Sequence, residues 1–507
     1  MLTVTLEAAV VINGSHLVDP KLSITLLDTM LITLECILIA LQAVAAVRLA
    51  LHPPFETTGQ SNNRLSKRSP VVLNGGINKC VTMKLNVHGV DLNLRVDSDV
   101  SDVIIPLPSS INAVGLAPQS ISSGNPVTIK YKLKEYNGFS SEATVTIPGT
   151  RITGVNLPVI EIEKQSAGLV GIDGTLKQGV FGFGYSLLSK HHTSVPAIDA
   201  LYNDGVIPNN EIGIQLCPYD MLQESFINIG NTDITAKCGT DGRSVAWVES
   251  PSDGYFSVNI KNILINGKRV DLPAEFQKNQ GEDGRAFYSY LHTCLTYMFF
   301  PEIVVAALVD AIVGSGAITI KRIKLKRKLY PEEIDEIFWK DCLMSQSDYN
   351  IDWSKLPTFT ITMFAETPVT DDNRNSVVKI KLGPRDYIQK VDSENFVFAV
   401  GVGPNDYAVL GASFMTRLAV AFDRHNKRIG FGPGCGCEVS TDGYPTISDH
   451  YQVLWPSSQL PEQPSTSGSD GTFIRRRKPT TTTDQVAVPE NTHHTVKSRK
   501  QTLNKLD

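Results

Sequence analysis

The sequence predicts an all-β protein built of two related halves, and three observations carry that prediction. Short Val, Ile and Thr runs alternate apolar and polar residues and break at turn residues such as Asn-Gly, as in VTMKLNVHGVDLNLRV and FSVNIKNILINGKRVDL. That period-two pattern is the signature of antiparallel hairpins. Helical segments are few, the clearest being PAIDALYNDG and PEIVVAALVDAIVG. One phrase also occurs twice: VDSDVSDVIIP at 96–106 and LHTCLTYMFFP at 291–301. The copies pair Val96 with Leu291, Ser98 with Thr293, Val100 with Leu295, Ser101 with Thr296 and Pro106 with Pro301, and they set His292 in the place of Asp97. Each half therefore presents one polar residue from an apolar strand.

Along the chain, the elements follow in order. A length of 507 residues suits two or three domains, and a formal charge of -5 gives no basic excess of the kind that binds nucleic acid. From Met30 the chain reads MLITLECILIALQAVAAVRLA, whose apolar stretch from Cys36 to Val47 is short for a bilayer and whose Ala43 and Ala45 offer a cleavage pattern. Residues 1–46 are therefore expected to act as a signal peptide, with Met30 as a possible start. Glu35 and the missing basic n-region keep an uncleaved membrane anchor open as the alternative. Residues 47–77 read as a propeptide or linker, because RLSKRSP ends in the dibasic pair Lys67-Arg68. The two halves are expected at 78–247 and 248–440, with the boundary in VAWVESPSDGYFSV. Residues 441–507 read as a disordered tail, since beyond about Ser457 the chain is Ser, Pro, Thr and Lys with hardly an apolar residue to bury.

Eight cysteines fit an oxidising compartment. Cys36 would leave with the signal peptide, leaving Cys80, Cys217, Cys238, Cys294, Cys342, Cys435 and Cys437, an odd set that spares one thiol. Cys217 with Cys238 is the preferred pair, as they flank an expected hairpin; for Cys294 the readings are an inert buried thiol or a disulfide with Cys342. Cys435-Gly-Cys437 lacks a second cluster, so disulfides are expected there and no metal or cofactor. KRIKLKRK at 321–328 reads as an edge strand with a charged outer face, and His191 and His192 as a solvated loop.

Five landmarks, in order from about Asn78 to Gly434, resemble the pepsin-like aspartic proteases. VDSDVSDVIIP resembles the first active-site loop. YKLKEYNGFSSEATVTIPG resembles the flap hairpin, with Tyr131 at the flap tyrosine, and GVFGFGYSLLS, with Gly182 and Gly184, resembles the segment closing the first loop. LHTCLTYMFFP stands at the second loop, and AVLGASFMTRLAVAFDRHNKRIGFGP matches the end of the second lobe most closely. The resemblance implies a bilobal acid-protease fold, two β-barrel-like lobes around a central cleft. It further implies two carboxylates sharing one proton, the ionised one activating water and the protonated one donating to the peptide carbonyl.

The sequence departs from that family pattern of Asp-Thr-Gly followed by a hydroxyl residue. Asp97 remains and Ser98 keeps a hydroxyl, but Asp99 and Val100 replace the glycine and hydroxyl; in the second loop only Thr293 conforms, beside His292, Cys294 and Leu295. The flap has Lys132 and Lys134 beside Tyr131, and Gln178 and Ala412 stand where aspartates are common. Asp97 and His292 are thus the candidate catalytic pair, supported by Ser98 and Thr293. A histo-aspartic variant exists within the family, so catalysis by this pair and a purely structural ion pair between the lobes both remain readings. A Cys294 nucleophile activated by His292 lacks an orienting third group. The expectation is a secreted, monomeric, proteolytically inactive homologue whose cleft takes an extended peptide or protein; the alternative is an active acid endopeptidase using Asp97 and His292.

Overall fold

The computed structural model describes residues 71–454 except 75–79, 107–123, 132–133, 163–178, 190–194, 231–244, 253, 279–286, 322–326, 341, 435–436, 438–442 and 451. The signal-like segment, Lys67-Arg68, Lys132, Gln178, His191, His192, Cys238 and Cys435 lie outside the described residues.

Alternation in the first half produces one seven-stranded sheet. Its order is Thr82–Val87, Val90–Asp97, Gly179–Gly182, Val103–Pro106, Val155–Ile162, Lys134–Thr146 and Asn125–Tyr131. Along Thr82–Val87 the buried residues Met83, Leu85 and Val87 alternate with Lys84 and Asn86, so one face enters the core and the other meets solvent. His88 and Gly89, at φ of 49° and 84°, turn the chain into Val90–Asp97. The second half builds a five-stranded sheet in the order Ser257–Val258, Ser289–Leu291, Val409–Leu410, Met298–Phe300 and Val400–Val402. This half also builds a six-stranded sheet centred on Ile260–Ile265, Phe359–Phe364 and Val377–Leu382. The architecture is all-β and bilobal.

A further six-stranded sheet draws on both halves, in the order Val71–Val72, Phe226–Ile229, Glu211–Gln215, Leu418–Asp423, Arg428–Pro433 and Ala246–Glu249. Phe183, Phe256 and Phe422 meet in the core with ring centroids 4.6 to 5.6 Å apart. Arg424, buried at the end of the second half, reaches the first: its guanidinium forks onto both oxygens of Asp199 at 2.8 Å and donates to Gly184 O at 2.9 Å.

Both expected helices form, as Ala197–Asn203 and Glu302–Ser315. A third, Pro331–Trp339, was not anticipated; Pro331 opens it, and Glu333 accepts the Tyr330 N–H at 2.8 Å. Two expected boundaries move. Val71 and Leu73 are buried, and Val71–Val72 pairs with the strand at Phe226, so the linker ends before residue 71. At the other end Thr446–Asp449 pairs with Val377–Leu382 and Gln452–Leu454 follows it, so residues 446–454 belong to the fold and not to a disordered tail. The buried Ile447 between polar neighbours supplies the alternation that composition alone averages away. Arg327–Lys328 forms an edge strand against Ile318–Ile320, while 322–326 lie outside the described residues.

The cysteine pairing differs from expectation. Cys217 bonds Cys437, across 220 residues, instead of Cys238; the strand at Glu211–Gln215 leads Cys217 out of the shared sheet toward the far end of the chain. Cys294 bonds Cys80, not Cys342, and Cys342 is an exposed free thiol. Spacing along the chain carried no information on either bond, because both close over more than two hundred residues.

Candidate active-site cleft

Two equivalent strand ends position the candidate pair. Val90–Asp97 runs parallel to Gly179–Gly182, placing Asp97 opposite Gly182. Ser289–Leu291 runs parallel to Val409–Leu410, and the His292 N–H donates to Leu410 O at 3.0 Å. Continuing that register sets His292 opposite Gly411, the counterpart of Gly182. Both glycines are needed for close approach. A Cβ on Gly182 would lie 2.6 Å from the carbonyl oxygens of Val100 and Asp102. One on Gly411 would lie 2.1 Å from Tyr297 O and 2.6 Å from Leu295 O. Val100 and Leu295, like Asp102 and Tyr297, are the same positions of the repeated phrase, so the repeat seen in sequence is a repeat in space.

The hydroxyl residues that follow the pair lock the loops together by a reciprocal exchange. Ser98 N donates to Thr293 Oγ1 and Thr293 N to Ser98 Oγ, each at 3.0 Å. Ser98 Oγ donates to Leu291 O at 3.1 Å and Thr293 Oγ1 to Val96 O at 2.9 Å. Each hydroxyl thus both accepts from and donates to the opposite lobe, and all the groups are buried. Satisfied polar contacts of this kind fix geometry because any alternative strands a buried donor or acceptor.

On this frame His292 Nε2 lies 3.2 Å from Asp97 Oδ1, with Asp97 fully buried and His292 9% exposed. The Asp99 N–H donates to the same Asp97 oxygen at 3.0 Å. A side chain at the motif-glycine position does not, therefore, keep the backbone from the carboxylate. Cys294 cannot serve as a nucleophile, since its sulfur is bonded to Cys80. Tyr131 is the last residue of Asn125–Tyr131, in register with Lys134 of the returning strand, at the tip of the hairpin expected for the flap. Among the described residues no group of three or more His, Cys, Asp or Glu side chains is placed to hold a metal ion.

Sequence reasoning missed an aromatic ladder beside the pair. Phe287 and Tyr407 stack at 5.8 Å, Tyr407 and Tyr290 meet at 5.9 Å, Tyr290 and Tyr255 stack at 4.7 Å, and Tyr290 lies 6.4 Å from the His292 ring. It runs from the exposed Phe287 to the dyad. Burial, and after it the charge of Asp99, hold the phenols of Tyr255 and Tyr290 above their usual range. For Tyr407 burial leads, followed by Asp406 and then Asp99. All three remain neutral hydrogen-bonding groups through the acid and neutral range. The signal available in sequence was Tyr290, two residues before His292 on a strand and hence on the same face.

The model of the eukaryotic aspartyl protease family matches residues 118–434, which take in the flap hairpin, the His292 loop and the Gly411 segment. The chain belongs to the eukaryotic aspartyl protease family. The matched span begins after Asp97, where the first loop has diverged. The chain is also similar to a β-secretase of Strongylocentrotus purpuratus, being 22% identical over 438 residues that cover 77% of this chain and 74% of that protein. Among the described residues no helix is long and apolar enough to cross a membrane.

Proposed function

We propose that this family member is a secreted, proteolytically inactive homologue whose cleft binds an extended peptide or protein segment. The observation that carries the reading is the direct contact of His292 Nε2 with Asp97 Oδ1 at 3.2 Å. The family's chemistry needs one carboxylate ionised as a base and its neighbour protonated as an acid. With an imidazolium in the second place, the Asp97 charge is compensated by His292 and further engaged by the Asp99 N–H, so it is a weak base toward water. The surfaces proposed to take the segment are the hairpin of Asn125–Tyr131 and Lys134–Thr146 on one lobe and the aromatic ladder on the other. Two disulfides and the signal-like segment support passage through an oxidising compartment. The lobe boundary belongs near Trp247 to Gly254, and the protein is proposed to be a monomer.

The same contact favours a second reading, in which the imidazolium polarises the peptide carbonyl while Asp97 activates water. One experiment separates the two. The purified chain is incubated with a broad peptide library from about pH 3 to pH 7, beside the Asp97→Ala variant. Saturable binding without turnover is the expected result. Turnover that Asp97→Ala abolishes would establish the Asp97 and His292 enzyme instead.

A further inference from the structure

We infer that Cys80 and Cys294 are positioning residues of the cleft, their disulfide tying the floor of one lobe to the other and setting the spacing of the Asp97 and His292 loops. Cys294 sits two residues beyond His292, at the place where the family carries a glycine, and it is buried. A side chain there has to go somewhere, and it crosses to Cys80, 214 residues earlier in the chain.

Cys80 is anchored where it can act on the pair. It leads into Thr82–Val87, which is in full register with Val90–Asp97, and Val96 N donates to Val81 O at 2.9 Å. Its sulfur lies 3.8 Å from Val96 O, a packing contact because a disulfide sulfur has no hydrogen to donate. That carbonyl also accepts from Thr293 Oγ1 and belongs to the residue just before Asp97. The covalent bond, the Thr293 hydroxyl and the pair itself therefore converge within a few residues on each side. Hydrogen bonds can open one at a time; a bond between the loops cannot. The inference holds whether the cleft cleaves peptide or only binds it, and its test reads neither activity.

The test uses the full chain carrying Cys80→Ala and Cys294→Gly, which restores the family residue. Among the described residues, titratable groups placed against His292 include Asp97, 3.2 Å from its ring nitrogen, and Tyr290, whose ring lies 6.4 Å away, and Asp99 bonds the same Asp97 oxygen through its N–H. In the variant, amide exchange at Ser98 and Thr293 is expected to quicken at least about tenfold relative to Ile260–Ile265, and the His292 ring titration to shift. A tie that only stabilises the whole fold would speed exchange everywhere alike and leave the His292 titration unchanged, which overturns the inference. The unmutated protein gives a second route that does not depend on the variant folding. As a phosphine reductant is titrated in, the His292 resonance is expected to move in step with loss of the Cys80–Cys294 bond. Movement in step with Cys217–Cys437 alone, no movement, or free thiols at Cys80 and Cys294 before reduction would each overturn it.

Discussion

At the scale of single residues, His292 is under two opposing pressures. Burial disfavours its imidazolium, while the carboxylate 3.2 Å away favours it. Asp97→Asn removes the second pressure and leaves the first, so the sign is fixed whichever dominates in the parent. The expected outcome is that His292 releases its proton at lower pH in Asp97→Asn than in the parent, read from its ring proton resonances; an unchanged titration would mean that the carboxylate does not act on the ring. The meeting of Asp97 and His292 was legible in the sequence because the repeated phrase fixes both on equivalent strands. The aromatic ladder was not, since Tyr255, Phe287, Tyr290 and Tyr407 come from three separate stretches of chain that only the tertiary fold brings together.

At the scale of elements, the loops work as copies of one device. Ser98 and Thr293 exchange hydrogen bonds, and Gly182 and Gly411 each let a strand end pass against the carbonyls of the neighbouring loop. A methyl group on Gly411 meets backbone on two sides, Tyr297 O and Leu295 O, with no flexible side chain to yield. Gly411→Ala is expected to destabilise the fold by about 1–3 kcal/mol through overpacking, measured by denaturant unfolding. Gly267→Ala should cost less, because a Cβ there meets no atom within 4 Å and only its φ of +76° is opposed. Such a contrast isolates close approach from backbone strain. Strand alternation made these elements readable in advance, whereas the helix Pro331–Trp339 was missed, its exposed Glu332 and Glu333 diluting the apolar pattern that buries Ile337 and Phe338. Disulfide partners were unreadable for a different reason: the bonds Cys80–Cys294 and Cys217–Cys437 join lobes or distant ends, where spacing has no local meaning.

At the scale of the whole molecule, fold and chemistry have separate supports. The shared sheet, the Phe183, Phe256 and Phe422 cluster and the buried Arg424 fork hold the lobes together without using Asp97 or His292. The scaffold can therefore tolerate changes at the pair, and the family's chemistry should be recoverable on it. His292→Asp alone restores the second carboxylate but leaves Asp99 as a third acidic group and the Cys80–Cys294 tie across the floor. It is expected to show no turnover of the peptide library. Adding Asp99→Gly, Cys294→Gly and Cys80→Ala removes the extra charge and the tie, and leaves two carboxylates on loops still held by Ser98 and Thr293. Repulsion between them keeps one protonated in acid, the condition for a shared-proton pair. The four-fold variant is then expected to cleave the peptide library below about pH 5. Its rate should stand at least about a hundredfold above the single variant, with a further Asp97→Ala abolishing the gain. A folded four-fold variant that showed no turnover would mean that residues beyond the two loops also limit the chemistry.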